Sequence, residues 1–307
     1  MKLFLERKED PGSSNKFGLT PLSGAASCGH EGIVKRLLEL KEVNPDSSSG
    51  RGETPLLVAA CNGHEGTVKL LLERKEVNPD ARNNDGKTPL LGAAWRGREG
   101  IVKLLLERKE VNPGSSNSHG ETPLLAVAWG GYEGVAKMLL ERKEVNPDSV
   151  TKRGCTPLWG AAWRGHEGIV KLLLERREVN PDPSDWSGIT PLWGAASGGH
   201  QGIVNLLLER NEVNPNSPNN DGQTPLLGAA EAGHEGLVKL LLERKEVNPN
   251  SSCNCGRTPL SLAAKNGHKG VVKLLLERIS ADPNPSEASD EGTHFPAASL
   301  LDNIPPQ

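Results

Sequence analysis

Few stretches of this sequence hold residue types able to do chemistry. Gly86-Lys87-Thr88 has the ending of a phosphate-binding loop, where backbone N–H groups and a lysine hold phosphate oxygens. That loop needs a glycine at position 81, where Ala81 stands, and Pro89 removes an N–H where a donor is wanted. No nucleotide site is expected there. His-Glu pairs such as His166-Glu167 lack the second histidine, four residues after the first, that a helical zinc site requires. Cys253-Asn254-Cys255 could hold a soft metal, but no second pair or histidine stands near it in sequence, so it reads as plain loop cysteines. No nucleophile has a base beside it and no two carboxylates converge. The chain is therefore expected to be no enzyme, with no catalytic residue, cofactor or metal.

A different chemistry is better represented. Trp95, Trp129 and Trp163 recur at one spacing, with Arg96, Arg98, Arg164 and Tyr132 beside them. Large aromatics next to arginine are the composition of binding hot spots, which join a large apolar surface to a planar, multidentate donor. The elements that position these residues come from a repeat. Thr-Pro-Leu begins at Thr20, Thr54, Thr88, Thr122, Thr156, Thr190, Thr224 and Thr258, always 34 residues apart. A fixed period of this size signals stacked units, each unable to bury its own apolar face.

Within the copy that starts at Thr88, the residues predict two short helices. Thr88 caps the first, Pro89 takes its first position at no cost in hydrogen bonds, and Gly97 ends it in a left-handed conformation. Leu90, Leu91, Ala93 and Ala94 give that helix a small apolar surface. The second helix is expected over Glu99 to Arg108, with Ile101, Val102, Leu104, Leu105 and Leu106 apolar. Glu99, Lys103 and Glu107 form a polar stripe at i, i+4 spacing. Arg108 and Lys109 meet the negative end of the helix dipole. Glu110 onward, rich in Val, Asn, Pro, Ser and Gly, is a loop.

These residues resemble the ankyrin repeat. The resemblance rests on Gly86-Lys87-Thr88-Pro89-Leu90, Ala93-Ala94, Ile101-Val102, Leu104-Leu105-Leu106 and Val111-Asn112, and it extends over all eight copies. It implies an all-α solenoid of stacked helix-turn-helix units acting as a protein-interaction module. Two features depart from the family. Its histidine after Thr-Pro-Leu is replaced by Ser23, Leu57, Leu91, Leu125, Trp159, Trp193, Leu227 and Ser261, and charged residues such as Arg74-Lys75-Glu76 follow the second helix. The recurrent Glu-Arg-Lys-Glu-Val-Asn-Pro resembles ankyrin arrays at the C-termini of fungal NACHT (STAND-type) signalling proteins, which implies a sensor role within a larger chain. The recurrent histidines (His30, His64, His166, His200, His234 and His268) sit at the family's Gly-His position, where they are expected to close the turn and pack on the next copy.

Comparison among the copies separates frame from surface. The second-helix glutamate is kept in all eight (Glu39 to Glu277), as is the first-turn glycine (Gly32 to Gly270), and the lysine in seven. The loop tips vary: Lys87, Glu121 and Arg153 are three of the residues there, and the first-helix ends vary as well. In the ankyrin family these two places form the concave partner-binding face. The resemblance thus implies a protein or peptide ligand bound by Trp95, Arg96, Trp129, Tyr132, Trp163, Arg164, Lys87, Glu121 and Arg153. The three indoles are expected to form an exposed ladder, whereas Trp159 and Trp193 pack between copies. Nucleic-acid binding through the Trp/Arg face is the alternative, and a spacer without a specific ligand is another.

Bulk composition fits this reading. A hydrophobic content of 35% suits thin stacked pairs better than one large core. A net charge of −3 gives no general attraction to nucleic acid or anionic membrane. Five cysteines at irregular places imply no disulfide framework. Met1 to Asp10 is charged and lacks the apolar core of a signal peptide, and no apolar run reaches membrane-spanning length, so a monomer in the cytoplasm or nucleus is expected. Lys2 to Glu9 matches the second helix of a copy, so residues 1–12 read as a truncated repeat of a longer protein. Residues 13–283 hold eight copies in register, expected to form one continuous array, and 284–307 read as a degenerate repeat or disordered tail.

Overall fold

The structure, a computed structural model, describes residues 10–281. The partial helix expected near Leu3 and the tail from residue 284 lie outside the described residues. Among those described, helix is the sole regular secondary structure. The described residues divide into two compact units, 10–152 and 153–281, and each holds four helix pairs. The first contains α1 (Pro21–Cys28), α2 (Glu31–Leu38), α3 (Pro55–Asn62), α4 (Glu65–Leu72), α5 (Pro89–Trp95), α6 (Glu99–Leu106), α7 (Pro123–Gly130) and α8 (Glu133–Leu140). The second contains α9 (Pro157–Arg164), α10 (Glu167–Leu174), α11 (Pro191–Ser197), α12 (Gln201–Leu208), α13 (Pro225–Ala232), α14 (Glu235–Leu242), α15 (Pro259–Lys265) and α16 (Lys269–Ser280).

Local chemistry sets every pair. Each first helix opens on a threonine whose hydroxyl accepts the N–H of the residue three on, as Thr88 does from Leu91 at 3.2 Å, with proline next. Gly97 ends the turn at φ 61°, the left-handed conformation that glycine adopts without strain. The second helices other than α16 end earlier than expected. In α6 the last helical residue is Leu106 rather than Arg108, and Glu107 is the C-cap.

The arginine two residues beyond the helix reaches one copy back. Arg244 Nη2 donates to the carbonyl of Leu208, the last residue of α12, at 2.9 Å. Arg108 and Arg210 donate likewise to Leu72 and Leu174. The arginine thus caps the preceding copy's helix, where unpaired carbonyls and the dipole both favour a cation. Since Arg244 is only half-buried, Arg244→Ala is expected to lower the stability of the second unit by about 1 kcal/mol in urea unfolding, below the full value of a charge-assisted bond.

Packing follows the repeat within each unit. First helices stack on first helices (α1 on α3, α3 on α5, α5 on α7; α9 on α11, α11 on α13, α13 on α15), and second helices stack likewise. Leu56, Leu90, Leu124, Leu158 and Leu192 are fully buried at the start of first helices, and Val68, Val102, Leu71 and Leu105 in second helices. The invariant first-turn glycine of the second helix is explained by close approach: a Cβ at Gly66 or Gly202 would strike the carboxylate of Glu31 or Glu167 in the preceding copy. Those glutamates also pair along their own helices, as Glu65 does with Lys69 at 2.8 Å and Glu167 with Lys171 at 2.6 Å.

Candidate functional site

Six of the loops before a first helix are pinned by one side chain before the tip. Asn83 Oδ1 accepts from the N–H groups of Asp85 (3.1 Å) and Lys87 (2.8 Å), and Asp185 Oδ1 accepts from Ser187 and Ile189, both at 2.9 Å. Tips are then joined copy to copy through the backbone. In the first unit Gly50 donates to Phe17, Asn84 to Arg51, Ser118 to Asp85 and Lys152 to His119. In the second, Trp186 donates to Arg153, Asn220 to Ser187 and Asn254 to Asp221. Consequently the variable side chains stand on a fixed ladder.

The structure places the expected site residues in three settings. Arg96, Arg153 and Arg164 are exposed, and Lys87 and Glu121 are half-buried. Trp95, Trp129 and Trp163 are half-buried, not largely exposed as the ladder reading requires. For Trp163 the reason is visible. Its ring stacks on Trp159 (5.4 Å between centroids) and on Trp193 (5.9 Å), and it lies against Gly194 of the next copy, where any Cβ would crowd it. The stack in this unit is therefore Trp159–Trp163–Trp193. Trp159 is 8% exposed and its Nε1 donates to Ile189 at 3.0 Å, so it packs between copies as expected.

Tyr132, one of the residues expected to bind a partner, has a packing role. Its ring covers Gly97 of the preceding copy. It occupies the position that is histidine elsewhere, and the histidines do the same: His64 covers Gly29 and its Nε2 lies 2.9 Å from the Ser27 carbonyl, while His234 reaches Ser197 and His268 reaches Glu231, each at 3.1 Å. These side chains therefore pack on the preceding copy, not on the next one. A Cβ-free left-handed glycine leaves a shallow seat there, and a flat ring fills it.

One residue escaped the sequence reading. Trp186 sits at a loop tip and is 73% exposed, the largest fraction among the exposed large hydrophobic side chains. Its backbone is held on both sides, by Arg153 and by Asn220 Nδ2, which donates to the Trp186 carbonyl at 2.8 Å. The signal was available. The same position is Lys16, Gly50, Asn84, Ser118, Lys152, Asn220 and Asn254 in the other copies, so tryptophan is the single aromatic there.

Behind the tips lie three carboxyls whose titration is shifted. Burial pushes Asp46, Asp80 and Asp182 above the usual carboxylate value, opposed by the N–H groups of Asn78, Asn112 and Asn214, and at Asp80 first by the charge of Arg82. In each, Oδ1 is buried with no hydrogen-bond partner. Where the position is asparagine, that gap is filled: Asn216 Oδ1 accepts from Asn248, and its Nδ2 donates to the Glu246 carbonyl at 2.5 Å. A raised folded-state pKa means that the folded chain holds its proton more tightly than the unfolded one. The stability this contributes is present below the unfolded pKa and is lost as pH rises through the folded pKa. Asp182→Asn should therefore stabilise the second unit by about 0.5–1.5 kcal/mol at neutral pH, the net worth of one hydrogen bond. The gain should shrink as pH falls through the carboxylate range, which thermal melts across pH would show.

Among the described residues, no group of three His, Cys, Asp or Glu side chains stands together as a metal site, and no helix is long and apolar enough to cross a membrane. Cys253 and Cys255 are joined in a disulfide, contrary to their reading as plain loop cysteines. A family model described as ankyrin repeats (three copies) matches residues 1–83, 68–149, 143–219 and 192–287. No curated protein matches the chain. With paired helices at a fixed period, caps and glycine turns in every copy, and a family match over most of its length, the chain belongs to the ankyrin-repeat family.

Proposed function

We propose that the chain is a protein-interaction module that binds a protein or peptide ligand along its loop tips and first-helix ends, as the recognition part of a larger protein. The observation that carries this reading is Trp186, a large indole turned to solvent on a tip whose backbone is locked into the ladder. An exposed tryptophan costs solubility and adds little to the stack, while a rigid aromatic anchor loses little entropy when it enters a partner's pocket. Arg153 and Arg164, both exposed in the same unit, supply charge-assisted bonds to acidic groups of the ligand. The protein frame beneath is nearly invariant from copy to copy, so variation at the tips changes specificity without disturbing the fold. A sensor role of the kind implied by the resemblance to NACHT-associated arrays belongs to this proposal, and so do residence inside the cell and action as a monomer.

The test is a selection on the intact chain with displayed libraries of peptides and of folded domains, beside duplex and single-stranded DNA and RNA. Ligands should emerge from the protein libraries, compete with one another, and weaken when Arg153 or Arg164 becomes alanine, most at low salt where attraction is least screened. Binding confined to nucleic acid, or no binder that responds to any change at the tips, would overturn the proposal.

A further inference from the structure

The last tip of the second unit is closed differently from six of the others. Asn15, Ser49, Asn83, Asn117, Asp185 and Asn219 each use a side-chain oxygen to hold the N–H groups two and four residues on. Cys253 stands at that position and has no such oxygen. Its sulfur is bonded instead to Cys255, two residues on, so a covalent link replaces the hydrogen bond that spans the same step elsewhere.

Such a bond does little for stability in the usual way. A disulfide stabilises mainly by removing chain entropy from a long unfolded loop, and this one encloses a single intervening residue. The backbone of the tip is also held without it. Cys253 N donates to Arg257 O at 3.0 Å, Gly256 N to Cys253 O at 2.8 Å, and Asn254 N to Asp221 O at 2.9 Å. The two cysteines differ in access, since Cys253 is 6% exposed and Cys255 is open to solvent. Exposed disulfides of this kind are the ones that exchange.

We propose that Cys253–Cys255 is a thiol–disulfide exchange site, with Cys255 as the attacked sulfur and a small monothiol of the glutathione class as its reductant. The thiolate forms a bond to Cys255 Sγ as the Cys253–Cys255 bond breaks. Cys253 leaves as a thiolate and takes a proton from solvent, and a mixed disulfide remains on Cys255. A second thiolate attacks the outer sulfur of that mixed disulfide. This releases the oxidised monothiol dimer and leaves Cys255 as a thiolate, which is protonated in turn. Two thiols are oxidised, one protein disulfide is reduced, and two electrons pass. The oxidised dimer reverses the sequence. The tip of this copy thus has a locked oxidised form and a looser reduced form, in which neither cysteine offers the oxygen that holds the other tips.

The experiment uses the full chain with Cys28, Cys61 and Cys155 replaced by serine, equilibrated in glutathione buffers of graded reduced-to-oxidised ratio, quenched in acid and read by mass spectrometry. The pair should pass reversibly from disulfide to dithiol as reduced glutathione rises, with helical circular dichroism unchanged and hydrogen exchange at residues 254–257 at least tenfold faster in the reduced form. Cys253→Ser should trap one glutathione on Cys255, and Cys255→Ser should take it on Cys253 at least tenfold more slowly. The proposal fails if oxidised glutathione leaves both thiols free, if the bond yields only when the helices unfold, or if glutathione settles on Cys253 as fast as on Cys255. Because serine at either position leaves the backbone bonds of the tip in place, both variants remain folded controls.

Discussion

Leu105→Ala should lower the stability of the first unit by about 2–5 kcal/mol. Leu105 lies in α6, fully buried, where α6 packs on α4 and α8 as well as on its own partner α5. Truncation removes the transfer energy of the lost methyl groups and leaves a cavity that the surrounding helices close only in part. Relaxation is restricted on both sides, since Leu71 in α4 and Leu139 in α8 are equally buried. A stacked array is stabilised by nearest-neighbour interfaces, so the loss should reach the adjoining pairs too. In urea unfolding the midpoint should fall, and hydrogen exchange should rise in α4 and α8 as well as in α6. An effect below about 1 kcal/mol, or one confined to α6, would mean that the copies do not depend on one another for their cores.

Trp186→Ala should give the opposite pattern, with stability within about 0.5 kcal/mol of the parent and ligand binding weakened by about 2 kcal/mol or more. With the indole 73% exposed, its removal leaves no cavity, and the ladder bonds on either side use only the backbone of residue 186. Trp163→Ala is the matched control. That ring stacks on Trp159 and Trp193 and covers Gly194, so its loss should lower stability measurably as well as altering the surface. Measuring melting and binding for both variants against a ligand from the selection separates anchor from packing. If Trp186→Ala melts well below the parent, or binds as the parent does, the tip is not the recognition surface.

The sequence by itself determined the repeat, the helix class and most element boundaries. Threonine caps, proline at the first helical position, left-handed glycine and the apolar stripe all act within about four residues, so they are legible in any one copy. The caps beyond the helix ends act at longer range. α6 stops at Leu106, and the side chain of Arg108 beyond it caps a helix of the preceding copy, a contact that no pattern inside one copy states.

The surface depended on tertiary structure throughout. Trp163 and Trp186 are the same residue type, yet one is stacked and the other is open to solvent. The first has a glycine and an indole of the next copy and a second indole of its own helix within reach, whereas the second stands on a tip held by the backbone ladder. Tyr132 and the histidines look equally available in sequence, but the left-handed glycine of the preceding copy seats their rings. The disulfide likewise depends on the conformation of its tip, in a place where six other copies use an oxygen. Side-chain burial is set by what lies about 34 residues away, and the sequence shows that spacing without showing which face the chain turns toward it.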